Sequence, residues 1–174
     1  MGREIKYEGK YIRFIDEDGW EYVERVKCSG IVIIVSKTKD DEVLFVEQHR
    51  VPIQNRTIEF PAGLIDDGAG ETDETALQAA HRELLEETGY QAGALTPLIQ
   101  GPVSGGMSSN SVYMVLAENL TKVHEGGGVE DENITVHHVP IGEVDVWLRV
   151  KEKEGFFIEP KIYSGLYFLK GCHK

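Results

Sequence analysis

Alternating apolar and polar positions run through KYIRFIDEDGWEYVERV (10–26), with Asp18-Gly19 in the middle. That pattern predicts a β-hairpin turning at the Asp-Gly pair. Two nearly unbroken apolar runs, GIVIIVSK (30–37) and EVLFVEQHR (42–50), predict strands joined by the polar KTKDD link. RTIEFPAGL (56–64) reads as one short extended segment ended by Pro61 and Gly63. LTPLIQ (95–100) and SVYMVLAENL (111–120) predict strands on either side of the GPVSGGMSS loop, and NITVHHVP (133–140) predicts another. Between them HEGGGVEDEN (124–133) is a glycine-rich, acidic loop. The period changes to that of a helix in three places. ETALQAAHRELLEET (74–88) is rich in helix formers, with Thr72 and Asp73 as candidate N-caps and Gly89 as the C-cap. IGEVDVWLRVKEKE (141–154) places Val144, Trp147, Leu148 and Lys151 on one face. PKIYSGLYFLK (160–170) predicts a closing helix with Pro160 near its start. Helices and strands mixed along 174 residues predict one domain, residues 1–174, of the α/β or α+β layer type.

The charge of the first of these helices is unusual. Glu83, Glu86 and Glu87 fall within one helical face, and Glu83 and Glu87 are four residues apart. Ala76, Ala79 and Ala80 project on the same side, so the carboxylates border the apolar stripe. An exposed like-charge pair costs about 0.2–0.5 kcal/mol. Beside a buried face, at about 6 Å and an effective dielectric near 20, the repulsion approaches roughly 3 kcal/mol. Such a cluster calls for a cation, and the small alanines are expected to leave room for one.

Composition narrows the partners. A net charge of −12 argues against non-specific binding to nucleic acid or to an anionic membrane. It leaves room for a phosphorylated small molecule, because bound divalent ions reverse a local field. Cys28 and Cys172 do not make a disulfide framework. With no signal peptide and no apolar run of membrane-spanning length, the expected setting is the cytoplasm.

From Gly68 the chain reads G-x5-E-x7-R-E-L-L-E-E-T-G-Y, through Glu74, Arg82, Glu83, Leu84, Glu86, Glu87, Gly89 and Tyr90. With EFPAGLID leading in, this resembles the Nudix hydrolases, in the branch of ADP-ribose and nucleoside-diphosphate-sugar pyrophosphatases. The resemblance covers about residues 20–145. It implies an α/β/α sandwich around a mixed sheet with an N-terminal β-hairpin. It also implies hydrolysis of a diphosphate bridge to a nucleoside monophosphate and a sugar phosphate. The implied cofactor is Mg²⁺, with Mn²⁺ as a substitute. Such ions neutralise the bridge and polarise the attacking water. By the same resemblance Glu83 and Glu87 are the main metal ligands, Glu86 assists, the carbonyl of Ala62 adds a ligand, and Arg82 orients a glutamate. The general base is expected on the acidic loop, as Glu130 or Glu132, and its glycines are expected to let the loop close. Arg50 and Arg56 are candidates for diphosphate or ribose contacts, and Gln48 and Glu59 for base or sugar. The N-terminal strands, about 1–27, are the implied dimerisation element, with Trp20 and Tyr22 available to stack on a nucleobase.

The chain departs from the branch pattern in two places. Gly63 lies eleven residues before Glu74, so a roughly five-residue insertion (68–72) is expected, with Gly63 the structural counterpart of the box glycine. The branch's Ser-Pro-Gly stretch is here Ser104-Gly105-Gly106, and Asn110 stands near the place of a following glutamate. The loop holding the substrate candidates Gly105 and Met107 is therefore expected to be looser and less acidic. This favours a broader nucleoside-diphosphate-sugar substrate range. Other nucleoside-diphosphate derivatives, such as dinucleotide polyphosphates or nucleoside triphosphates, and a non-catalytic ligand sensor are the competing readings.

Overall fold

The computed structural model describes residues 2–66, 73–128 and 133–171. Gly68, Thr72, Glu130, Glu132 and Cys172, singled out above, lie outside the described residues.

The N-terminal alternation forms more than a hairpin. Strands β2 (Ile12–Glu17) and β3 (Trp20–Arg25) turn at Asp18-Gly19, both with positive φ, and β1 (Arg3–Glu8) adds a third antiparallel strand beside β2. Every residue of β1 is exposed, so no buried face marks this strand in the hydropathy pattern.

Two four-stranded mixed sheets carry the core. One has the order β7 (Ala62–Ile65), β4 (Gly30–Ser36), β10 (Ser111–Glu118), β9 (Ala94–Pro102), with β4 and β10 parallel. The other has the order β12 (Thr135–Pro140), β5 (Glu42–Arg50), β6 (Asn55–Glu59), β13 (Phe157–Ile158), with β6 and β13 parallel. A short pair, β8 (Tyr90–Gln91) and β11 (Thr121–Lys122), completes the strands. Helix α1 (Ala76–Thr88) packs its Ala79, Ala80 and Leu84 with Val32 and Ile34 of β4. On the other side Ile33 and Val35 of β4 meet Val144 and Leu148 of α2 (Val144–Lys153) and Ile162 and Leu166 of α3 (Lys161–Leu169). β4 is covered on both faces, which is why its sequence is a continuous apolar run instead of an alternation. Among the described residues no helix is long and apolar enough to cross a membrane.

RTIEFPAGL is two strands, not one. β6 pairs with β5 in one sheet, the chain crosses at Phe60-Pro61, and β7 pairs with β4 in the other. Phe60 is buried in the core at the crossing, and Pro61 has no N–H to leave unsatisfied there, while its carbonyl accepts from Ile34 N–H at 2.8 Å. The crossing opens a cleft between the sheets and sets Glu59 and Ala62 on its walls.

Helix α1 starts later than the candidate caps suggest. Thr75 is the N-cap; its hydroxyl accepts from Gln78 N–H, and the Thr75 N–H donates to Gln78 Oε1, a capping box. Just before it, Asp66 and Glu74 exchange backbone-to-carboxylate hydrogen bonds of 2.9 and 3.0 Å. These bonds close the neck of the 67–72 segment, so the chain can lengthen there without disturbing the helix. Arg82 completes the neck with two bonds to Glu74, of 2.9 and 3.1 Å.

These bonds to Arg82 hold the Glu74 carboxyl below its ordinary value of 4.5, more than offsetting the opposite effect of burial. A depressed carboxylate stabilises the fold above its unfolded pKa, and that contribution is lost as the pH falls through the folded value. Glu74→Gln should therefore cost about 2 kcal/mol at neutral pH. The difference from wild type should shrink as the pH drops below about 4. Urea unfolding at a series of pH values measures both.

Candidate active site

A cavity of about 630 Å³ lies in the cleft between the sheets. Ala62, Gly63 and Leu64 of β7 and Glu83 and Glu87 of α1 form part of its wall; Gln48, Arg50, Thr57 and Glu59 of the β5–β6 hairpin form another. Arg25, Glu159 and Lys161 also line it.

The wall built by β7 and α1 depends on a very close approach. A Cβ on Gly63 would lie 1.8 Å from the Glu83 carboxyl carbon, so any other residue there would displace that side chain from its present place. β7 is an edge strand. Pro61 O bonds to Ile34 in the sheet, so alternation turns the peptide groups of Ala62 and Leu64 off the free edge, toward α1. Ala62 N–H donates to Glu87 Oε2 at 3.0 Å, and Leu64 C=O accepts from Arg82 Nη2 at 2.9 Å. The same alternation turns the Ala62 carbonyl toward this side. Glu87 is only 3% exposed. Arg82 Nη1 also donates to Glu83 at 2.7 Å and to Glu86 at 3.2 Å. Its guanidinium pKa is raised, first by the hydrogen bonds to Glu74 and also by the Glu83 charge.

The alanines do not provide the room. Ala79 and Ala80 are fully buried against the sheet, and it is Gly63 that lets Glu83 approach β7 at the cavity wall. The cavity lining includes Glu83 and Glu87 but not Glu86. Among the described residues no three metal-ligating side chains are drawn together. Glu83 and Glu87 instead form a two-carboxylate, all-oxygen face. That donor set suits a hard divalent ion that keeps several of its waters.

On the hairpin wall, Arg50 grips Glu59 with Nε at 2.8 Å and Nη2 at 2.5 Å, and the Thr57 hydroxyl donates to the same carboxylate. Burial works to raise the Glu59 pKa, but Arg50, Thr57 and the charge of Lys161 outweigh it, and the carboxyl lies below its ordinary value. Strand alternation separates this group from Arg56. Gln48 pairs with Thr57, and His49 with Arg56. Arg56 therefore points to the opposite face, where it binds Glu47 at 2.5 Å beside His137. Arg50 and Arg56 do not act in one place.

Trp20 and Gly105 lie in a second depression of about 520 Å³, with Tyr22, Gly106 and Ser108. β3 sends Trp20 and Tyr22 to this side and Arg25 to the cavity, as the two-residue period requires. Met107 is exposed, yet its carbonyl accepts from Val23 N–H at 2.9 Å, and Ser109 N–H donates back to Val23. Missing its proline, the loop is stitched to the N-terminal sheet by these two bonds.

The glycine loop is also anchored. Gly127 N–H donates to Glu87 O at 2.8 Å and Gly128 N–H to Glu86 O at 3.1 Å. Gly126, Gly127 and Gly128 all have positive φ, and a Cβ on Gly126 would lie 2.6 Å from Glu87 O. The glycines of this run are thus in backbone contact with the end of α1, closest at Gly126. They lead into the segment with Glu130 and Glu132 directly from the last turn of the glutamate helix.

Sequence reasoning missed Arg25, Glu159 and Lys161. Arg25 was legible only as the polar end of a strand, and the other two sit beyond the acidic helix by more than seventy residues, joined to the cavity by the short β13–β6 pairing.

Comparison with known proteins agrees with the family resemblance read from the sequence. Over 129 residues the chain is 30% identical to the methanol dehydrogenase activator of Bacillus methanolicus, covering 74% of this chain and 67% of that protein. It is 36% identical over 119 residues to the ADP-ribose pyrophosphatase of Bacillus subtilis (strain 168), covering 68% and 62%. It is 32% identical over 120 residues to the GDP-mannose pyrophosphatase of Enterobacter sp. (strain 638), covering 64% and 60%. The chain thus spans roughly two thirds of the length of these relatives. A crystal structure of an ADP compounds hydrolase superposes with a TM-score of 0.72 at 23% identity, over 99% of this chain and 94% of that one, and so shares the fold. Residues 26–159 match the NUDIX domain, and the chain belongs to that family.

Proposed function

We propose that this protein is a divalent-metal-dependent pyrophosphatase that cleaves the diphosphate bridge of ADP-ribose or of nucleoside-diphosphate sugars. One observation carries the reading: a two-carboxylate face, Glu83 and Glu87, shares one cavity with the cationic side chains of Arg25 and Arg50. A diphosphate ester needs both, an oxygen face for the ion and fixed cations for its phosphoryl oxygens. The names of the relatives, ADP-ribose pyrophosphatase and GDP-mannose pyrophosphatase, support the same substrate class.

When bound, a divalent ion, Mg²⁺ or Mn²⁺, supplies charge neutralisation and a polarised water. The chain's own residues do the rest. Glu83 and Glu87 are the ligands, held in place by Arg82 and by the Ala62 N–H, and the Ala62 carbonyl is available beside them. Glu86 assists from the same helix turn. Glu130 or Glu132 takes the proton from the attacking water, delivered by the loop that Gly126–Gly128 fasten to α1. Arg50, preset by Glu59, binds phosphoryl oxygens, while Gln48 serves the sugar. Trp20 and Tyr22, in the second depression with Gly105, offer aromatic faces to the base, with the exposed Met107 on the same loop, and a second copy meeting the N-terminal strands would complete that site.

Glu83→Gln should leave the fold intact and lower kcat by at least about 100-fold, a loss of roughly 3 kcal/mol of transition-state stabilisation. The assay is release of nucleoside monophosphate from ADP-ribose, GDP-mannose and UDP-glucose with Mg²⁺. Turnover of none of them by wild type would sink the proposal, as would equal turnover by wild type and Glu83→Gln.

Gly63→Ala tests the geometry separately. The new methyl must displace the Glu83 carboxyl. The expected result is a fall in Mn²⁺ affinity, read by electron paramagnetic resonance, together with a loss of activity. Unchanged Mn²⁺ binding by both Gly63→Ala and Glu83→Gln would show that Glu83 is not a ligand.

A further inference from the structure

We infer that Lys161, which lies beyond the family-matched residues 26–159, is a phosphoryl contact of the cavity and that the C-terminal segment helps to recognise the substrate. The inference rests on the diphosphate reading above and adds a residue to it.

The backbone fixes where Lys161 sits. β13 pairs in parallel with β6, setting Phe157 beside Thr57 and Ile158 beside Ile58. Glu159 N–H then donates to Ile58 O at 3.0 Å. The chain turns at Pro160 into α3, whose buried Ile162 and Leu166 are packed in the core. Lys161 is thus carried on a rigid base to the end of β6, next to Glu59. Its ammonium is near enough to bear on the Glu59 charge.

Helix stability does not explain a lysine at this place. Lys161 opens α3, where the helix dipole disfavours a cation, and the first turn of α3 contains no acidic residue. Its partner is Glu159, which accepts from both the Lys161 ammonium and its backbone N–H. The two side chains are 35% and 21% exposed, and a partly solvated pair of this kind contributes little by itself. A phosphoryl oxygen entering the cavity can therefore take over the ammonium at small cost. Arg50 directs two of its nitrogens to Glu59, which leaves a role for a second cation on that wall. Lys161 supplies it from a different element.

The test uses the full chain and inorganic pyrophosphate, titrated by calorimetry with and without Mg²⁺ into wild type, Lys161→Met and Lys161→Arg. Loss of one charged contact should weaken binding by about tenfold in Lys161→Met. Lys161→Arg should restore it to within about threefold. In steady-state assays Lys161→Met should raise KM by a similar factor while kcat changes little, a split that a merely structural role would not produce. With Mg²⁺ present, pyrophosphate binding by Lys161→Met equal to that of wild type overturns the inference, as does a wild type that does not bind pyrophosphate. If wild type binds pyrophosphate through Lys161 but hydrolyses no nucleoside-diphosphate sugar, the contact stands and the pyrophosphatase reading falls. If wild type hydrolyses them and Lys161→Met leaves KM unchanged, only the Lys161 contact falls.

Discussion

A single guanidinium holds the acidic helix to the sheet. Glu83, Glu86 and Glu87 lie on one face of α1, and Glu74 lies just before its first turn. Near a buried surface their mutual repulsion is worth roughly 3 kcal/mol for each close pair. Arg82 meets three of these four carboxylates and the Leu64 carbonyl at once, through Nε, Nη1 and Nη2. The fourth, Glu87, is held by a backbone N–H of the same edge strand. A lysine has the charge but not the planar fork, and could not serve four acceptors in these directions. Removing the arginine would therefore do more than delete an ion pair. It would set α1 loose from the edge of β7 and spread the carboxylates that line the cavity.

The arrangement makes sense of the chain crossing at Phe60-Pro61. A strand that stayed in one sheet would bury its peptide groups in that sheet. By changing sheets, the segment presents Glu59 with its last residues in one and the free edge of β7 with its first residues in the other. Gly63 then brings the helix close enough for Glu83 to lie over the backbone. Cavity wall, free edge and seat for the helix all come from one stretch of chain, Asn55 to Ile65. The glycines at 126–128 do for the far end of α1 what Gly63 does for its middle. They let the backbone of a distant loop reach the carbonyls of Glu86 and Glu87.

Much of this was legible in the sequence because burial imposes a period. β4, β5 and β10, and the three helices, each bury a face or both faces, and all of them were expected within a few residues. The glutamate face of α1 was legible for the same reason, as was its Gly89 C-cap. What escaped depends on pairing partners, not on periodicity. β1, β8, β11 and β13 bury little and exist through backbone hydrogen bonds to other strands. Arg50 and Arg56 look alike in sequence, and only the register of the β5–β6 hairpin sends them to opposite faces. Thr75 lost to Thr72 and Asp73 as the expected cap because the turn before α1 holds several residues able to cap, and the capping box with Gln78 decides among them. The contact of Gly126 with α1 was not legible, because sequence shows a missing side chain but not the Glu87 carbonyl that occupies its place.

The net charge of −12 raises a question about an anionic substrate, and the cavity answers it by arrangement instead of by excess charge. Its lining holds Arg25, Arg50 and Lys161 against Glu59, Glu83, Glu87 and Glu159, so cations do not outnumber carboxylates there. Arg50 and Lys161 are each tethered by a carboxylate, which fixes their direction before a ligand arrives and reduces the ordering cost of binding. The same tethers weaken the pull on a bare anion. On this reading a free diphosphate gains little from the cavity alone, and a diphosphate accompanied by a divalent cation gains much, because the cation turns the Glu83–Glu87 face from repulsive to attractive. The acidic surface and the balanced cavity then act together. On the same reading they would hold anions without a metal at a distance and admit those whose charge has been partly neutralised.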